Sequence, residues 1–166
     1  MKTVLIPVDG SSTGLQVVKT VLAAAHGGID RIHLLNVQPR FTRHASRYLP
    51  RSTRDGWREE RARAALEPAR RLVDSAGVAC VTHAGVGPTA QVVSDTAKLL
   101  GVSEIVLGTR RRGPLGRLLA NSLSSRLLEK ASVPVRVIPV APAPAMERFA
   151  APVGIGLAIL AVAATD

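Results

Sequence analysis

Short apolar runs of strand length alternate along this chain with longer stretches in which apolar residues recur at helical spacing. Thr3–Val8 is almost wholly apolar and stops at Asp9-Gly10-Ser11-Ser12, the pattern of a buried strand followed by a turn. Ser12 or Thr13 is placed to cap a helix over about Leu15–Ala25, which Gly27-Gly28 closes. Arg31–Val37 predicts a second strand. Gln38–Arg54, with Pro39, Pro50 and several arginines, has no period and predicts a loop. About Asp55–Ser75 predicts a long helix in which Pro68 should introduce a kink or a division. Val78–His83 predicts a third strand and Gly85-Val86-Gly87-Pro88 a turn, with Pro88 suited to a helix start. A helix over Thr89–Leu100, a strand over Glu104–Leu107, a loop over Gly108–Gly116, a helix over Leu118–Ala131 and a last strand over Val135–Val140 complete the pattern.

Strict alternation of strand and helix implies right-handed crossovers and an α/β fold, a parallel sheet covered on both faces. In such sheets ligands bind outside the carboxyl ends of the strands, where Asp9–Ser12 and Gly108–Gly116 both fall. The composition agrees. The chain is 46% hydrophobic but only 2% aromatic, so its core is aliphatic. Residues 1–140 are expected to form one domain, 141–148 a Pro/Ala linker and 149–166 an apolar tail. Phe149–Ala164 carries no charge. As a helix it would be about 24 Å long, against about 30 Å of bilayer hydrocarbon, so a membrane anchor and a packed tail are both open readings.

The formal charge of +10 favours anions of every kind. One Trp, one Tyr and two Phe give little stacking surface, so nucleic acid is not an expected partner. Cys80 is the one cysteine, and no Cys/His set has zinc spacing. Met1-Lys2-Thr3 leads straight into the first strand without a signal-peptide pattern, and a cytoplasmic location is expected.

The chemistry concentrates after the fourth strand. Gly108-Thr109-Arg110-Arg111-Arg112-Gly113 leaves a strand towards a helix, and its backbone N–H groups can cradle phosphate. Asn121, Ser122, Ser124 and Ser125 follow with donors. A connecting loop with solvated arginines is the plain alternative. Asp9 can accept from a ribose hydroxyl, or it can cap its own turn.

Taken in order, Val4-Leu5-Ile6-Pro7-Val8-Asp9-Gly10-Ser11, Leu34-Leu35-Asn36-Val37, Gly87-Pro88, Ile105-Val106-Leu107-Gly108-Thr109-Arg110 and Val133-Pro134-Val135-Arg136-Val137 resemble the universal stress protein family over Met1–Val140. The resemblance implies a three-layer, adenine nucleotide alpha hydrolase-like sandwich, its five parallel strands in the order 3-2-1-4-5. It also implies a homodimer joined along Val135–Val140. Many members of the family bind ATP through Gly, two residues, Gly, nine residues, then Gly and Ser or Thr. Gly108 and Ser122 match that signature, whereas Arg111 and Asn121 replace its two later glycines. Pro7, Val8, Asp9 and Val37 match positions around the adenosine, and Gly113, Leu123 and Ser124 complete the candidate site. The adenosine half is thus kept and the phosphate half altered, because Arg cannot let a phosphate approach as closely as Gly does. Mg²⁺ is expected only if ATP binds.

His33 and His83 fall on strands expected to be neighbours, as a metal pair or as ordinary sheet residues. Cys80 reads as a small apolar residue and the arginines of 40–71 as a solvated face. No Ser/His/Asp order, Cys/His pair or paired carboxylates suggest a hydrolase. The resulting expectation is a non-enzymatic stress-response binding protein with a nucleotide site. Two alternatives share the fold: a slow nucleotide hydrolase or phosphoryl-transfer enzyme, with Asp9 its one candidate group, and a membrane-tethered adaptor that binds no nucleotide.

Overall fold

The computed structural model describes residues 2–25, 28–40, 50–110 and 123–140. Its elements are β1 (Thr3–Pro7), α1 (Ser12–Ala25), β2 (Arg31–Gln38), α2 (Arg51–Ser75), β3 (Ala79–Val86), α3 (Thr89–Leu100), β4 (Glu104–Arg110), α4 (Leu123–Lys130) and β5 (Val135–Val140). The strands form one five-stranded parallel sheet in the order β3-β2-β1-β4-β5. This is the architecture and the strand order expected from the sequence.

Neighbouring strand residues serve opposite layers, as the two-residue period requires. Val4, Ile6, Ile32 and Leu34 pack against Val17, Val18 and Val21 of α1 and Leu66, Ala69 and Val73 of α2. Leu5, Leu35, Ile105 and Leu107 pack against Ala90, Val93 and Ala97 of α3 and Leu127 of α4. Burial on both faces explains why these strands read as unbroken apolar runs.

Several local expectations are corrected. Ser11, not Ser12 or Thr13, caps α1: its Oγ accepts the N–H of Gly14 at 3.4 Å, and the helix starts at Ser12, ahead of Leu15. The helix α2 begins at Arg51, inside the expected loop, and runs through Pro68 as one element. Pro68 and Ala64 are both exposed, so the Ala64 carbonyl that proline deprives of a partner can turn to water. The strand β3 continues through Gly85 and Val86, expected as turn residues, because Val37 and Gln38 of β2 supply partners for them. Likewise β4 runs on to Arg110, since Gly108, Thr109 and Arg110 pair with Ile138, Pro139 and Val140.

The part of the expected helix before Leu123, the loop beyond Arg110 and the tail Phe149–Ala164 lie outside the described residues. Among the described residues, no helix is long and apolar enough to cross a membrane.

Candidate functional site

The chain leaves β1 abruptly. Val8 makes the last ladder bond, its N–H donating to the Leu35 carbonyl at 2.8 Å. Asp9 then turns the backbone, its Oδ1 accepting the N–H of Ser11 at 2.9 Å. Gly10 completes the turn with φ +81°, in the left-handed region that favours glycine, and α2 stands behind it. The capping role of Asp9 is therefore occupied, and Asp9 still borders the open space above the strands.

That space is a cleft of about 520 Å³ at the carboxyl ends of β1, β2 and β4. Pro7, Val8, Leu35, Val37 and Leu107 give it apolar surface. Asp9, Ser11, Thr13, Thr89, Thr109 and Ser124 give it polar groups. The N-terminus of α1 contributes Ser11, Thr13 and Gly14, and that of α3 contributes Thr89. The first described turn of α4 adds Leu123 and Ser124 beside them. Helix N-termini present N–H groups without intrahelical partners and carry partial positive charge, so the cleft favours a ligand with an anionic end.

Seven of the residues picked out from the sequence, Pro7, Val8, Asp9, Val37, Gly108, Leu123 and Ser124, thus border one cleft. Arg111, Gly113, Asn121 and Ser122 lie outside the described residues. Ser11, Thr13 and Thr89 were not picked out. Their signal was their place at the cap or in the first turn of a helix that starts at the carboxyl end of a strand.

Gly108 has a packing role. A Cβ at this position would stand 2.6 Å from Cγ2 of Val17 and 2.9 Å from Cγ2 of Thr13. The bare backbone lets α1 settle against β4 at the edge of the cleft.

Elsewhere, His33 Nδ1 and His83 Nε2 share a hydrogen bond of 2.9 Å across β2 and β3. Their ring centroids are 5.1 Å apart, so the two nitrogens meet nearly head to head. A single proton between the two nitrogens accounts for this contact. Burial pushes both imidazoles below their ordinary pKa, and the His83 and Arg31 charges add to the effect at His33. Among the described residues, no group of three or more His, Cys, Asp or Glu is placed to hold a metal. Cys80 is half-buried, and burial raises its thiol pKa, with Asp74 adding to the rise and Arg70 opposing it.

The family model of universal stress proteins matches residues 1–139. The chain belongs to the universal stress protein family. A universal stress protein family member from Burkholderia pseudomallei is 27% identical and superposes with a TM-score of 0.64, over 84% of this chain and 96% of its own. The universal stress protein family protein of Arabidopsis thaliana, solved with AMP bound, has 18% identity and a TM-score of 0.63, over 86% of this chain and 94% of its own. The universal stress protein of Archaeoglobus fulgidus, solved with dAMP, has 18% identity and a TM-score of 0.59, over 83% and 97%. No curated protein matches the chain by sequence.

Proposed function

We propose that this universal stress protein binds an adenine nucleotide in the cleft and acts through binding, not turnover. The observation that carries the proposal is the composition of the cleft: an apolar floor from Pro7, Val8, Leu35 and Val37 beside the N-termini of α1 and α3. The floor suits a purine face, and the helix ends suit phosphate. Asp9 borders the same cleft, and a carboxylate oxygen there can accept from a ribose hydroxyl while Oδ1 keeps the Ser11 bond. The AMP and dAMP held by fold relatives from Arabidopsis thaliana and Archaeoglobus fulgidus support the same ligand class.

A monophosphate meets these features. ATP with Mg²⁺ asks more of the loop, where Arg111 and Asn121 replace glycines of the family's ATP signature. For turnover, Asp9 is the one carboxylate bordering the cleft among the described residues, and it is engaged in its turn. We assign the effector surface to a homodimer through β5, an edge strand whose Val137 is 36% exposed.

A thermal-shift series with AMP, adenosine and GMP at millimolar concentration tests the reading. AMP should raise the melting temperature most, because a ligand present at about 100 times its Kd adds about 2.7 kcal/mol to stability. An unmoved melting temperature with all three would sink the proposal.

A further inference from the structure

The carboxyl half of β2 holds a residue that its surroundings do not lead one to expect. Asn36 is 2% exposed, on the same face of the strand as Ile32 and Leu34. An aliphatic side chain would bury more apolar surface there, and a buried amide is retained at a cost unless its hydrogen bonds are made. Asn36 does not border the cleft, whereas its neighbours Leu35 and Val37 do.

Its bonds run to both sides. Nδ2 of Asn36 donates to the carbonyl of Val8 at 2.7 Å. A carbonyl only accepts, so the NH₂ of Asn36 must face Val8 and its Oδ1 must face away. That Oδ1 accepts Nε2 of Gln38 at 2.6 Å, which fixes the orientation of the second amide in turn. The main-chain carbonyl of Gln38 then accepts the N–H of Gly87 at 3.0 Å, and Pro88 and Thr89 follow directly. Val8 and Thr89, at the two ends of this path, both border the cleft.

We infer that Asn36, with Gln38, is a positioning residue for the cleft: the relay sets the Val8–Asp9 wall against the Thr89 wall. It takes the Val8 carbonyl at the point where β1 stops pairing, and so fixes where the Asp9 turn begins. It acts through the main chain and touches no ligand. The consequence for affinity rests on the nucleotide reading of the cleft; the consequence for loop order does not.

The test uses the full chain with Asn36→Asp, Asn36→Leu and Gln38→Glu. Aspartate keeps the shape of Asn36 but, ionised, has no proton for the Val8 carbonyl. Leucine keeps the branched heavy-atom shape, is somewhat larger, and removes both bonds. Glutamate at 38 faces Oδ1 of Asn36 with an acceptor. Two quantities are read: the Kd for AMP by calorimetry, and amide hydrogen exchange at Ser11 and Ile105 without ligand. The relay predicts about tenfold weaker AMP binding in both Asn36 variants, the scale of one lost hydrogen bond, with a smaller loss in Gln38→Glu. It also predicts faster exchange at Ser11 and unchanged exchange at Ile105. Should Asn36→Asp fail to fold, the other two variants carry the test. A lower melting temperature with wild-type Kd and wild-type Ser11 exchange would reduce Asn36 to a packing residue and overturn the inference. If the wild type takes no AMP but Ser11 exchange rises in the variants, the positioning role stands and the nucleotide reading is what fails.

Discussion

Gly108 of β4 lies so close to Val17 of α1 that a Cβ on the glycine would stand 2.6 Å from a valine methyl. The residue that opens the family's nucleotide signature is thereby also a helix–sheet contact. Gly108→Ala should destabilise the fold by about 1–3 kcal/mol, the usual scale of overpacking. Val17→Ala removes the nearer of the two clashing methyls, Thr13 carrying the other, and the double variant should recover part of the loss, measurable by urea denaturation. A loss that Val17→Ala leaves untouched would place the strain elsewhere.

Gly10 has a different requirement. Its φ of +81° suits glycine, and a Cβ there would meet Ala65 of α2 at 3.3 Å. Gly10→Ala is expected to cost about 1–2 kcal/mol, the penalty of a left-handed residue with a side chain. Because Gly10 sits between Asp9 and Ser11, AMP binding should weaken with it. Unchanged stability and affinity would show that the turn tolerates a side chain.

The histidine pair predicts a pH dependence. His33 and His83 both titrate below the ordinary value, chiefly because they are buried. The unfolded chain therefore takes up protons first as pH falls through about 6.5, and stability present at neutral pH is lost below it. The melting temperature should drop between pH 7.5 and 5.5, and drop less in His33→Gln/His83→Gln. Equal slopes would mean that the pair does not govern the acid limb.

How much of this was legible in the sequence follows from what kind of contact made each element. Val4-Leu5-Ile6 and Leu34-Leu35 announce buried parallel strands because both of their faces meet helices. The alternation of elements then led to the α/β class, and the family resemblance to the strand order. The element ends were not legible. Gly85 and Val86 look like a turn until β2 pairs with them, and Gly108–Arg110 look like a loop until β5 does. A ladder partner far along the chain overrides the local preference of glycine. Pro68 looks like a break because its exposure cannot be read from sequence.

The site divided in the same way. Pro7, Val8, Asp9 and Val37 were legible through the family resemblance, and the cleft brings them together. Thr89 and Ser11 were missed because which residues border one cleft depends on how α1 and α3 pack over the sheet, even where the helix start itself was read. Asn36 appeared within a strand motif, but its bond to Val8 needs the β1–β2 register to be seen.

Cys80 offers a check on burial. Its thiol pKa is raised, chiefly by desolvation, so little of it is thiolate at neutral pH. Iodoacetamide should modify the folded protein at pH 7.5 more slowly than free glutathione, and unfolding in urea should remove the difference. Rapid labelling of the native protein would contradict the half-buried position.

The central claim is that the cleft above β1, β2 and β4 receives an adenine nucleotide. Amide NMR of the full chain during an AMP titration tests it most directly. Shifts concentrated at Val8, Asp9, Ser11, Val37, Thr89 and Ser124, with the His33–His83 region still, are the predicted result. No shift at millimolar AMP, or shifts centred away from this cleft, would contradict it.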